Sequence, residues 1–163
     1  MPATSRGRKR QRGWKRGTPV PALRPLAPFV GRWKVTLRWG QETYKLARGP
    51  REFETSAKFH WISGGQFLLG SLRIGFPTRW IFAGNDATHE FTVVASDSRG
   101  VARVYAMSLK SRRWKMSGAA ATFQQRAEGH FKRSKKMVVR FDRSMDDGRT
   151  WIRDADAVFT RVA

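Results

Sequence analysis

An all-β, antiparallel up-and-down barrel of about ten strands, preceded by a disordered basic N-terminal arm, is the fold this sequence predicts. Three observations carry that expectation. From Gly31 onward, apolar and polar residues alternate with the two-residue period of strands that bury one face. Turn signals built from Gly, Asp, Asn, Ser and Pro recur at short intervals along the same stretch. No segment carries the pattern of a long helix. An open sheet of that many strands would twist strongly and leave two edges free to pair with other chains, so closure is the physical expectation.

The elements follow in order. Residues 1–25 hold eight basic side chains and no acid, with Trp14 as the one aromatic residue, and read as the disordered arm; residues 26–163 form the barrel domain. Leu26-Ala27-Pro28-Phe29-Val30 is apolar but interrupted by proline, which predicts no more than a helical turn capping one barrel end. Trp33, Val35, Leu37 and Trp39 then share a face opposite Lys34, Thr36 and Arg38. After Gly49-Pro50, Phe53, Ala57, Phe59 and Trp61 oppose Glu54, Ser56, Lys58 and His60. Gly64-Gly65, Phe76-Pro77, Gly84-Asn85-Asp86 and Asp97-Ser98-Arg99-Gly100 separate the next strands. Arg103, Tyr105, Met107 and Leu109 share a face, Trp114 and Met116 follow, and Phe123 to Phe131 forms a further strand. The basic hairpin at Lys132–Lys136 leads to Met137, Val139 and Phe141. Asp146-Asp147-Gly148 makes the last turn, since Asp-Gly tolerates the positive φ that tight hairpins require, and Trp151 to Val162 closes the set.

Composition bounds the function classes. With 163 residues the chain is one domain, and 40% hydrophobic residues including 7 Trp mark a folded protein. The 33 Lys and Arg against 12 Asp and Glu give a net charge of +21, which attracts polyanions: nucleic acid, anionic lipid or acidic partners. The absence of cysteine removes disulfides, thiol catalysis and Cys-type zinc sites. No apolar stretch approaches a membrane span, and prolines and Arg24 break the stretch after the basic start, so the expectation is a cytoplasmic protein.

Specific chemistry is sparse. His60 and His130 fall on polar faces and His89 in a turn, without the partner spacing of a metal site. Asp142-x-Ser144-x-Asp146 starts like a calcium loop, but Asp147 and Arg153 stand where such a loop needs Gly and Glu, so it reads as a hairpin turn. Asp154 and Asp156 share a parity and read as solvated strand acids. No nucleophile elbow, phosphate loop or dinucleotide fingerprint is present, and the sequence predicts neither an enzyme nor a cofactor. The inward aromatic set (Trp33, Phe59, Trp61, Tyr105, Trp114, Phe123, Phe141, Phe159) fits a packed core or a ligand cavity. Arg103 and Gln125 fall in the same inward parity, where they require partners.

Gly31-Arg32-Trp33, the Gly64-Gly65-Gln66 turn, the Asp97–Gly100 turn and the closing Asp147-Gly148-Arg149-Thr150-Trp151…Phe159-Thr160-Arg161 resemble the lipocalin-like (calycin, fatty-acid-binding-protein-like) barrels, over about residues 26–163. The resemblance implies that Trp33 packs beneath Arg161, sealing one end. In cytosolic fatty-acid-binding proteins an Arg two residues before a Tyr on the final strand binds a carboxylate. Arg161 aligns with that Arg, but Ala163 stands where the Tyr would be, which favours a structural Arg161. A haem-binding interior of the nitrobindin-like kind needs an inward histidine.

The functional expectation is therefore non-enzymatic binding of a small hydrophobic or amphipathic molecule within the barrel, with Trp61, Arg103, Tyr105, Trp114, Gln125 and Phe141 as lining candidates. The alternative is polyanion binding, to nucleic acid or an anionic membrane, through Arg8, Lys9, Arg10, Arg12, Trp14, Lys15 and Arg16 of the arm and the basic barrel surface.

Overall fold

The computed structural model describes residues 17–120 and 123–163. Among them, ten strands run Gly31–Trp39 (β1), Glu52–Ile62 (β2), Phe67–Ile74 (β3), Phe76–Asn85 (β4), Glu90–Asp97 (β5), Ala102–Lys110 (β6), Arg113–Ala120 (β7), Phe123–Lys132 (β8), Lys136–Ser144 (β9) and Ile152–Arg161 (β10). Each pairs antiparallel with its sequence neighbours, and β1 pairs with β10, so the sheet closes into a barrel without a free edge. The closing register sets Trp33 opposite Arg161 and Trp39 opposite Ala155. The alternation survives in the burial: Trp33, Val35 and Leu37 are buried, and Arg32, Lys34 and Arg38 are exposed. The arm residues Arg8, Lys9, Arg10, Arg12, Trp14, Lys15 and Arg16 lie outside the described residues.

One end of the barrel is plugged by a 3₁₀ helix over Pro21–Phe29, longer than the single turn predicted around Leu26–Val30. The boundary drawn at residue 25 falls inside it. The reason is a three-residue period: in a 3₁₀ helix side chains at i and i+3 eclipse, so Leu23, Leu26 and Phe29 form one row, and all three are buried. Pro21 suits the helix start, and the fixed φ of Pro25 and Pro28 fits a 3₁₀ turn. Phe29 stands at the centre of the plugged end, with Phe131 edge-on at 4.9 Å between centroids and Phe59, Phe82 and Trp114 at 5.5–5.8 Å. The indole of Trp114 lies so close over Gly129 that any Cβ there would overlap the ring.

Closure at this end is made by Arg161. Its guanidinium carbon sits 4.2 Å from the centroid of the Trp33 ring. The same guanidinium donates to the carbonyls of Val30, of Pro28 at 2.8 Å and of Ser134 at 2.9 Å. Trp33 Nε1 donates to the Phe29 carbonyl at 2.8 Å, which fixes the ring at its edge. Gly31 adopts φ +135°, and a Cβ at that position would strike the Arg161 guanidinium. The Gly-x-Trp spacing thus follows from the space the arginine needs.

The opposite end carries a six-residue helix, Gln41–Leu46 (α1), between β1 and β2, in a polar stretch for which the sequence predicts no helix. It packs against β10, and Gly40 N–H donates to the Asp154 carbonyl at 2.9 Å. The β9–β10 turn is tied by its own side chains: Thr150 N–H and Oγ1 donate to Asp146 at 2.8 and 2.6 Å, and Gly148 N–H donates to Ser144 Oγ at 2.8 Å. The hairpin reading of this segment is what the hydrogen bonds show. Among the described residues, no helix is long and apolar enough to cross a membrane.

On the outer wall of β9 the Asp142 carboxylate is buried beneath three arginines, taking hydrogen bonds from Arg153 at 2.9 Å and from Arg126 and Arg140 at 3.1 Å. Burial opposes its charge, but the three guanidinium bonds outweigh that and hold Asp142 below the ordinary carboxylate range. A carboxylate depressed in the folded state adds stability above its unfolded pKa of about 3.9, and loses it as pH falls toward the folded value. The urea midpoint is expected to drop on acidification below about pH 4, and Asp142→Asn to flatten that limb. For the plug, Leu26→Ala is expected to cost about 2–5 kcal/mol in urea unfolding. The exposed neighbour in the same helix, Arg24→Ala, is expected to stay within about 0.5 kcal/mol.

Candidate ligand site inside the barrel

The plug divides the interior in two. Its own end is filled, while the end beneath α1 keeps a cavity of about 400 Å³, within the range of small-molecule sites. The space exists because Ala95, Ala127 and Ala155 point inward here and take little room. Trp80, Tyr105 and Phe141 form an apolar wall, with the Trp80 and Phe141 rings edge-on at 6.4 Å.

Polar side chains meet this wall on one side. Tyr105 Oη donates to Gln125 Oε1 at 2.6 Å. Burial pushes the Tyr105 phenol up, and nearby Asp154 adds to this while Arg103 pulls the other way. Arg103 holds its guanidinium carbon 5.0 Å from the Phe123 ring centroid. Asp154 Oδ1 accepts a 2.7 Å hydrogen bond from Thr43 of α1 and lies 3.6 Å from Arg143 Nη1. Among the described residues no acceptor meets the buried Nε of Arg143.

Of the residues that the sequence nominates, Arg103, Tyr105, Gln125 and Phe141 line this cavity. Trp61 and Trp114 do not. Trp114 is consumed by packing against Phe29 under the plug, and Trp61 packs on the core beside the β2–β3 turn, to which Val20 is hydrogen-bonded. The aromatic set is therefore neither all core nor all cavity. Trp33, Phe59, Trp114 and Phe159 fill the plugged end, and Tyr105, Phe123 and Phe141 face the open space.

Thr43, Arg143 and Asp154 complete the site and escaped the sequence reading. Asp154 shares its parity with Asp156, yet the β9–β10 register shifts between Arg153 and Ala155. This bulge lets Asp154 and Ala155 both face inward, while Arg153 and Asp156 pair outside at 2.7 Å. The expectation of two solvated strand acids thus holds for Asp156 and fails for Asp154. Arg143 follows Phe141 in the inward parity, which was the available signal. None of the three histidines lines the cavity. His89 stands at φ +57° in a turn, and desolvation with the charges of Arg113, Lys132 and Arg112 holds His130 below its ordinary range.

No protein-family model matches the chain, and no curated protein does. Among solved structures, the chain is similar to the crystal structure of Rv2717c from M. tuberculosis, with a TM-score of 0.63 and 17% sequence identity over 90% of this chain and 100% of that one. At that identity the likeness shows the barrel fold.

The chain has two tyrosines, Tyr44 half-exposed and Tyr105 buried, which makes the site readable by absorbance. Ionisation of the Tyr105 phenol is expected above the ordinary tyrosine range, and that absorbance change is expected to be lost in Tyr105→Phe. Because that pKa is raised on folding, the associated stability is full below the unfolded tyrosine value of about 10 and is lost as pH rises through the folded value.

Proposed function

We propose that the barrel binds a small amphipathic molecule and does not transform it. An apolar body lies against Trp80, Tyr105 and Phe141, and an acceptor-bearing head points toward Arg143 and Arg103. The observation that carries this reading is a cavity of about 400 Å³ in which the Arg103 and Arg143 side chains join an apolar wall. A guanidinium drawn out of water is costly unless matched, and a ligand carboxylate or carbonyl offsets that cost at Arg103, which lines the cavity without a carboxylate partner among the described residues. Apolar walls with a few convergent polar groups are the ordinary composition of such a site. Closure of Gly31 and Trp33 by Arg161 supports a calycin-like assignment, in which an interior ligand is the common use of the fold.

The reading is tested with the anionic fluorophore anilinonaphthalene sulfonate, titrated into the native chain. One-to-one binding is expected. Ala95→Trp, which fills the cavity, is expected to abolish it, and Arg143→Met to weaken it about 10- to 100-fold, the range for a hydrogen bond to a charged group. Both variants are checked for a cooperative thermal transition. Probe binding that neither substitution alters would overturn the proposal. Native mass spectrometry of protein purified from its own host then gives the mass of any retained ligand.

A further inference from the structure

The positive charge of this chain is unevenly placed on the outer wall. Outward positions of β1 to β5 border a groove of about 740 Å³. One cross-strand row runs along it through Arg32, Lys58, Ser71, Arg79 and Ser96, each the register partner of the next. At a strand spacing of about 4.8 Å the row spans roughly 19 Å. Lys34 and Arg73 border the same groove. Short serines make the floor and long cationic side chains the walls, which gives a concave strip on a barrel exterior. Arg79 is held in place by a hydrogen bond from its Nη1 to Ser71 Oγ.

On the β8–β9–β10 face Arg126, Arg140 and Arg153 share Asp142, Arg153 also meets Asp156, and Arg143 meets Asp154. In the groove Lys34 meets Glu54, and Asp97 is taken by Arg99. Among the described residues, no carboxylate lies within 4.0 Å of Arg32, Lys58, Arg73 or Arg79, all of them exposed. Four like charges around one depression raise a local potential that a polyanion relieves.

The lining also narrows which polyanion. Trp33 is the one aromatic residue at the groove and is 1% exposed, so no ring is offered for base stacking, the main contact of single-strand binders. A bilayer is met by a cluster of protruding apolar side chains beside cations, whereas here Pro77 and Val162 are the exposed apolar residues of a hollow floored by serine. Phosphate contacts from Arg, Lys and Ser position a duplex without reading its bases.

We propose that this groove binds the phosphodiester backbone of double-stranded nucleic acid without sequence preference, through Arg32, Lys58, Arg73 and Arg79. The site is on the opposite side of the wall from the cavity, and the proposal is independent of the interior ligand.

The test is fluorescence anisotropy of the full chain with a labelled DNA duplex about two helical turns long, across a salt series. The triple variant Arg32→Gln, Lys58→Gln, Arg79→Gln is expected to weaken binding about tenfold or more at low salt. It is also expected to reduce the slope of log affinity against log salt by about 2 to 3, the value for three lost phosphate contacts. Removing equal charge at the β8–β9 hairpin, by Lys132→Gln, Lys135→Gln and Lys136→Gln, is expected to change the slope by less than about 1. The charge-keeping triple Arg32→Lys, Lys58→Arg, Arg79→Lys is expected to preserve it. An unchanged slope in the groove variant, an equal loss in the hairpin variant, tighter binding of a single strand, or binding to phosphatidylserine vesicles in place of the duplex would each overturn the proposal. Anilinonaphthalene sulfonate binding measured in the same groove variant separates failure of this surface from failure of the interior reading.

Discussion

Arg161 is the group on which the rest of the structure depends. A guanidinium drawn partly out of water must recover its lost hydration, and burial alone holds its pKa below the ordinary value. Here three backbone carbonyls and the face of Trp33 replace that hydration. Two of the carbonyls belong to the N-terminal plug region and one to the β8–β9 turn, while the ring belongs to β1. One side chain on the last strand therefore ties the first strand, the plug and a hairpin into a single end. Gly31 is bare because the guanidinium needs its space, and Trp33 turns its nitrogen to the plug because Arg161 occupies its face.

Sealing one end decides what the other can be. The 3₁₀ helix fills its half of the barrel with Leu23, Leu26 and Phe29, so the aromatic residues there pack ring on ring and leave no room. Under α1 alanines and polar groups stand among the larger Trp80, Tyr105 and Phe141, and the barrel stays open. The bulge before Ala155 then turns Asp154 into that space, where Thr43 of α1 and Arg143 of β9 reach it. The cavity and its polar side are consequences of where the plug stops and where the last strand slips register.

The outer wall shows the same division by context. With 33 basic residues against 12 acidic ones, most cations must go without a partner. Asp142 gathers three arginines on the β8–β9–β10 face, while Arg32, Lys58, Arg73 and Arg79 on β1 to β4 have no carboxylate within 4.0 Å among the described residues. Serine at the crossing positions of those strands makes the unmatched region a hollow. Net charge by itself states only that some surface is cationic; the cross-strand register and the depression between strands gather four of those cations around one hollow.

Much of this protein was legible without coordinates. Two-residue alternation fixes which strand residues face inward, because successive side chains point to opposite faces, and the turn chemistry limits where strands end. The barrel, the inward placement of Arg103, Tyr105, Gln125 and Phe141, and the hairpin at Asp146–Gly148 all follow from such short-range rules. The plug was written in the three-residue spacing of Leu23, Leu26 and Phe29, a weak signal beside three prolines. What sequence could not decide was anything set by neighbours distant in the chain. Trp114 shares the inward parity of the cavity residues, yet the depth of the plug assigns it to the core, and Trp61 packs half-buried on that core. Asp154 shares the parity of Asp156, yet a bulge in its pairing with β9 turns it inward. Period two tells a residue which face it takes, and only the closed barrel tells it what stands across from it.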